Sequence, residues 1–255
     1  VHGAEPLMVV EADEYDRSFL ELESWLAVVT NIEAEHVDCY EDEAQLVEAF
    51  VSFLRQTRID GCIVLNGDDP LCREVAERIA DLPGSAPVVT FGFTKDCSVR
   101  ATNVRSALTL GSAALGRGSG NGTVFDCHDS SGQRRLHLRI PGRHNVANAL
   151  AALAVANVMD IDPIPVAEAL SRFVGVDRRF QDRGSVRGVQ VIDDYAHHPT
   201  EVAATLAAAR DQMGQGRLIT VFQPHTYSRT QRFHAEFALA LTEADDTWVT
   251  SVYAA

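Results

Sequence analysis

Short, continuously apolar runs that each end in a cluster of carboxylate, imidazole, amide or guanidinium residues recur along this chain, and that pattern restricts it to the open α/β class. Strands covered on both faces read as unbroken apolar runs. In open α/β sheets, ligands bind beyond the carboxyl ends of the strands. The polar clusters are Glu11-Ala12-Asp13-Glu14, Thr30-Asn31-Ile32-Glu33-Ala34-Glu35-His36, Gly142-Arg143-His144-Asn145 with Asn148, Arg178-Arg179-Phe180, and Asp193-Asp194-Tyr195-Ala196-His197-His198-Pro199. Carboxylates and imidazoles at strand ends imply a charged ligand, and the chain reads as a nucleotide enzyme.

The expected element series opens on strands at Leu7 to Val10 and Leu26 to Thr30. Asp42 caps a helix in which Leu46, Val47, Phe50, Phe53 and Leu54 recur at helical spacing. A strand at Cys62 to Leu65 leads to a second helix, capped by Asp69, with Pro70 at its first position and Leu71, Val75 and Ile79 on one face. From Val88 to Ile140 the pattern changes to short alternating segments, such as Thr123 to Cys127 and Arg135 to Ile140, which predicts a small antiparallel sheet. Helical spacing returns over Asn145 to Met159 and Val166 to Phe173. Beyond Arg179 come a strand at Val189 to Ile192, a helix at Thr200 to Met213, a strand at Leu218 to Phe222, a helix at Arg229 to Leu241 and a strand at Thr247 to Val252. Three parallel strands with two crossovers are expected there, half of a doubly wound sheet. The expected domains are 1–179 and 180–255, with both ends of the chain reading as cut.

At 255 residues and 46% hydrophobic, the chain can fill one large core or two ordinary ones. A formal net charge of -14 argues against nucleic acid as a partner, because phosphate contacts need clustered Lys and Arg. No apolar run is long enough for a bilayer span. The five cysteines lack any C-x-x-C pair and read as core thiols of a cytoplasmic protein. Lys95 is the only lysine, so no Walker A loop is present. The glycine-rich stretch Gly111 to Gly122 also fails the G-x-G-x-x-G pattern and reads as a hairpin connection.

Each polar cluster admits a plain structural reading beside a functional one. Glu11 and its acidic neighbours are either a solvated loop or a source of oxygen ligands for Mg²⁺. His36 reads as a hydrogen-bonded structural histidine, or as a ligand of the same ion if the two preceding strands are neighbours. Asn145 and Asn148 share one helix face, where capping explains one amide but not readily both. Arg178 and Arg179 form either a hinge salt bridge or a grip on phosphate. His197 and His198 lack the H-x-x-x-H or H-x-E spacing of a metal hydrolase. With Gln223, His225, Tyr227 and Arg229 they place two polar loops at one expected sheet edge, the candidate substrate site.

Taken together, these segments and Phe222-Gln223-Pro224-His225-Thr226-Tyr227-Ser228-Arg229-Thr230 resemble the Mur ligase family, ATP-dependent amino-acid ligases of peptidoglycan synthesis. The resemblance covers nearly the whole chain. It implies an α/β fold, with a Mur-ligase-like central ATPase domain built on a mixed sheet and part of a Rossmann-like C-terminal domain. It implies ATP and Mg²⁺, with phosphoryl transfer to the carboxylate of UDP-N-acetylmuramate and attack by the amine of L-alanine on the acyl phosphate. By motif, Glu11 and His36 become metal ligands, His144, Asn145 and Asn148 nucleotide contacts, and Arg179 a phosphate contact. Asp194 and Tyr195 face the nucleotide from the second domain. Tyr195 also lines the amino-acid pocket with His197, His198 and Arg229, the guanidinium of Arg229 being suited to the alanine carboxylate.

The family's P-loop and its UDP-holding domain precede the first strand seen here, so the chain as given is expected not to catalyse the reaction. A tripeptide-recycling ligase of the same family, a non-catalytic module on the same fold and a metal-dependent hydrolase are the competing readings.

Overall fold

The computed structural model describes residues 7–33, 39–110 and 122–254. They pack as two compact units, 1–97 and 98–255.

In the first unit, β1 (Leu26–Val29), β2 (Cys62–Asn66) and β3 (Val88–Gly92) form a parallel ladder with β2 in the centre. β2 is apolar at successive residues because both its faces are covered: Ile63 and Val64 are fully buried. α1 (Glu43–Leu54) and α2 (Pro70–Ala80) begin where their caps dictate. Asp42 accepts from the Gln45 amide at 2.8 Å, and Asp69 accepts from that of Cys72 at 2.8 Å. Each cap contributes about 1 kcal/mol. The two helices pack on each other and bury Leu46, Val47, Phe50, Leu54, Val75 and Ile79, while Phe19 fits its ring against Phe50 and Phe53.

Two expectations change here. Val88–Gly92 extends the parallel ladder instead of opening the antiparallel sheet. Leu7 to Val10 is not a strand: only Met8 makes an isolated bridge, and Met8 and Val9 are 80% and 75% exposed. An apolar run settles as a buried strand only where the sheet offers it an edge and neighbouring layers cover it, and here all four residues stay exposed.

The second unit begins with the antiparallel meander β4 (Val99–Ser106), β5 (Thr123–Asp129) and β6 (Gly132–Leu138). Most of the Gly111 to Gly122 connection lies outside the described residues. α3 (Arg143–Val158) packs on β4 and β5, and α4 (Pro163–Arg172) lies against α3 and β6. α3 is buried almost all round, at Val146, Ala149, Leu150, Ala151, Leu153, Ala154 and Ala156, which explains its small residues.

After the Arg178-Arg179 segment come β7 (Gln181–Val186), β8 (Val189–Asp193), α5 (Pro199–Met213), β9 (Ile219–Phe222), α6 (Tyr227–Arg232), α7 (His234–Leu241) and β10 (Asp246–Val249). The expected trio of parallel strands is corrected. β8 pairs antiparallel with β7 through the two-residue turn Arg187-Gly188, and only β9 and β10 run parallel. Both turn residues have positive φ, 53° and 81°, as a tight hairpin of this hand requires. The expected single helix from Arg229 is also broken, at Phe233, whose ring turns inward to meet His198 at 5.0 Å.

α5 is the element that ties this unit together. Gln212 donates to Ser106 Oγ at 3.0 Å and to the Gly122 carbonyl at 3.2 Å, and accepts from the Gly122 amide at 3.3 Å. Val202 and Leu206 of the same helix share a core with Phe222, Phe237 and Leu241. No helix among the described residues is long and apolar enough to cross a membrane. Cys62, Cys72, Cys97 and Cys127 are buried thiols, and burial pushes the Cys127 thiol up to about 11.

Candidate functional site

Asp194 holds together the loop that presents the two arginines. One of its oxygens accepts from the Phe180 amide at 2.7 Å and the other from the Ala196 amide at 2.8 Å, while the Tyr195 amide donates to the Arg178 carbonyl at 2.7 Å. Arg178 and Phe180 have φ of 60° and 48°, conformations that these neighbouring bonds help to hold. The result is a cationic platform. Arg178 and Arg179 lie over the Tyr195 ring at 4.5 and 5.9 Å, and both arginines remain exposed, so their planar donors are available to an anion.

The first turn of α5 faces this platform. Glu201 sits three residues past the His198 N-cap and forms a capping box with it. Glu201 Oε2 accepts from the amides of His197 at 2.9 Å and His198 at 3.2 Å, and Oε1 accepts from Arg179 at 3.1 Å. Burial pushes this carboxyl up, but the two amides, the His197 ring and Arg179 outweigh it and hold Glu201 below the ordinary carboxylate range. The adjacent histidines diverge. His198 is buried against Phe233 and serves the helix cap. His197 turns toward the platform, its ring 5.2 Å from that of Tyr195 and its Nδ1 2.9 Å from the Tyr195 carbonyl.

The loop after β9 supplies the opposite wall. The ring of His225 lies 6.3 Å from that of His197 and stacks on Tyr253 at 5.5 Å. Arg229 Nη1 lies 3.4 Å from His225 Nδ1, and Thr226 caps α6 by accepting from the Arg229 amide at 3.4 Å. Burial, with Arg229 and His197 nearby, lowers the His225 pKa. The two polar loops therefore meet through their rings, although β8 and β9 are not in one sheet.

His144, in the first turn of α3, completes the cluster. Surrounding protein lowers its pKa even though the residue keeps solvent exposure. The Asp194 and Glu201 carboxylates oppose that shift, and Arg179 reinforces it. Asn145 donates its amide to the Pro141 carbonyl at 2.7 Å, which is the structural share of this asparagine pair, while Asn148 is exposed.

A pH test follows from the two histidines. Their folded-state pKa values lie below the ordinary 6.5, so the unfolded chain takes up protons first as pH falls. Stability is therefore highest above that value and declines as pH drops below it toward the folded-state pKa values. Urea midpoints measured across this window should show a shallower decline for His144→Gln than for the unaltered chain; an identical slope would remove His144 as a contributor.

Glu11 is exposed and His36 lies outside the described residues. Among the described residues no group of three or more His, Cys, Asp or Glu is placed to hold a metal. Glu11 does offer the oxygen donor that Mg²⁺ prefers. In contrast, His144, Arg179, Asp194, Tyr195, His197 and Arg229 are gathered in one unit. The residues not anticipated are Glu201, His225 as a partner of Arg229, and Tyr253. The spacing of Glu201 after His198 was a readable capping signal, whereas the pairing of His225 with Tyr253 depends on the parallel contact of two distant segments.

The Mur ligase middle domain matches residues 5–156, and the Mur ligase glutamate ligase domain matches residues 178–254. A UDP-N-acetylmuramate--L-alanine ligase from Salinibacter ruber is 42% identical over 256 aligned residues, spanning 100% of this chain and 50% of the relative. The chain thus spans about half the length of the curated relatives it matches. The crystal structure of a UDP-N-acetylmuramate-alanine ligase from Thermotoga maritima superposes with a TM-score of 0.71 at 28% identity, covering 93% of this chain and 48% of the other. A second Mur ligase from Thermotoga maritima, solved in complex with ADP, superposes with a TM-score of 0.67 at 18% identity, covering 88% of this chain and 48% of the other. With family domains matched along most of its length, the chain belongs to the Mur ligase family.

Proposed function

We propose that this chain is the central and C-terminal part of a cytoplasmic, ATP-dependent ligase that joins L-alanine to UDP-N-acetylmuramate in peptidoglycan synthesis. Its domains in this reading are 1–179, which binds ATP, and 180–255, which binds the amino acid. The observation that carries it is the convergence of Arg179, His144, Tyr195, His197 and Arg229 around one cluster of cationic and aromatic groups. The end-to-end match to alanine ligases supports the choice of acceptor.

In the reaction, a carboxylate oxygen of the sugar acid attacks the terminal phosphorus of ATP and ADP leaves. The alanine amine then attacks the carbonyl carbon, phosphate leaves, and the amine nitrogen gives up a proton. Arg179 supplies the guanidinium that grips phosphate oxygens, and His144 and Asn148 lie against the nucleotide together with Asn145, whose amide nitrogen also ties the helix start to the Pro141 carbonyl. Asp194 fixes the arginine loop and Tyr195 supports the guanidinium from beneath. Arg229 pairs with the alanine carboxylate, His197 faces the amine, and His198 keeps α5 seated. Glu11 and His36 would hold Mg²⁺, which would supply charge neutralisation at the phosphates.

ADP release by the full-length protein, given UDP-N-acetylmuramate, Mg²⁺-ATP and either L-alanine or the tripeptide, tests this directly. Turnover with alanine alone is expected. Turnover with the tripeptide alone would make this a recycling ligase, and ADP release with neither acceptor would leave only the fold.

A further inference from the structure

We infer that Glu201 is a positioning residue of this site, presetting the Arg179 guanidinium toward an anionic ligand and holding His197 in the tautomer that carries its hydrogen on Nδ1. A capping glutamate needs only one oxygen on the N-cap amide. Here Oε2 takes two amides, and Oε1 reaches across to Arg179, 22 residues earlier in the chain.

The His197 ring adds a second, independent constraint. Its Nδ1 lies 2.9 Å from the Tyr195 carbonyl and 3.3 Å from Glu201 Oε2. Both neighbours are acceptors, so Nδ1 carries the hydrogen, and in the neutral ring Nε2 is the acceptor nitrogen. An imidazole in that state is suited to receive a proton from an attacking amine. The carboxylate that orders the base is thus the same one that orders the phosphate-gripping guanidinium, which couples the two halves of the reaction through one side chain.

The role assigned to the ordered groups rests on the ligase reading, but the tautomer does not. Glu201→Gln keeps the shape of the side chain and an acceptor oxygen for the amides while removing the charge. In the full-length protein it should keep a near-normal unfolding midpoint and lose turnover about tenfold, as removal of an orienting partner typically does. The KM for ATP should rise with that for UDP-N-acetylmuramate unchanged. In an Arg179→Ala background the same substitution should cost less, because the two residues act in series. An equal loss in both backgrounds, or a loss explained by unfolding, would overturn the link to Arg179. Nitrogen-15 spectra of the histidine rings should show His197 with hydrogen on Nδ1 and a larger Nε2–H population in Glu201→Gln. An Nε2–H ring in the unaltered protein would overturn the tautomer assignment even if the enzyme is active. An inactive full-length protein with the Nδ1–H ring would instead sink the ligase reading and leave this one standing.

Discussion

Replacing Arg179 by alanine should lower turnover of the full-length protein by about a hundredfold or more, the usual cost of removing a preorganised donor to developing charge. Folding should barely change. Its pairing with Glu201 at 3.1 Å involves side chains that are 51% and 33% exposed, and solvent-screened pairs of this kind contribute at most about 1 kcal/mol. Arg178 is the internal control. It lies closer to the Tyr195 ring, at 4.5 Å, so Arg178→Ala, which removes that contact and leaves Arg179 in place, should disturb the loop more than the chemistry. Steady-state kinetics and thermal unfolding on both variants separate the two roles. If Arg178→Ala abolished turnover while Arg179→Ala retained it, the phosphate grip would have to be reassigned.

The largest expected loss of stability comes from a residue of the first unit, Gly61. At Gly61 an added Cβ would fall 1.7 Å from the Trp25 carbonyl oxygen, the atom that accepts the first inter-strand bond from the Cys62 amide at 3.1 Å. The obstruction is backbone rather than a flexible side chain, so Gly61→Ala must part the start of β1 from β2. A destabilisation of about 3 kcal/mol is expected, the upper end for forced overpacking. Gly132 is the comparison, since a Cβ there meets nothing within 4 Å; its φ of 115° leaves only conformational strain. Urea denaturation of the two variants should rank Gly61→Ala well below Gly132→Ala, and the reverse order would mean that the β1–β2 approach is looser than its geometry implies.

Local signals account for what could be read correctly in advance. Asp42, Asp69 and Pro70 start their helices wherever they occur, because a cap satisfies amides only three residues away. The apolar run of β2 also announces itself, since burial on both faces forbids polar alternation. The polar clusters drew attention for a related reason: charged and imidazole groups placed after buried strands have few purely structural uses. His144, Arg179, Asp194, Tyr195, His197 and Arg229 belong to those clusters or to the loop after β9, and the structure gathers them in one unit.

The remaining features were settled by distant contacts. β7 is polar and mostly exposed, so no alternation marked it; its pairing with β8 relies on backbone bonds that are indifferent to side-chain type, and only the Arg187-Gly188 turn hinted at it. The parallel direction of β3 depends on the β2 edge beside it, and the break at Phe233 on a ring turning in toward His198. Gly61 looks like any turn glycine until the Trp25 carbonyl is seen against it, and Glu201 like any helix cap until Arg179 arrives. By itself the sequence determined the α/β class and the starts of the helices capped by Asp42 and Asp69, because those depend on near neighbours and on burial. Only the tertiary structure decided strand direction, the meeting of the two loops and the coupling through Glu201, because each is set by residues tens of positions apart whose approach leaves no local trace.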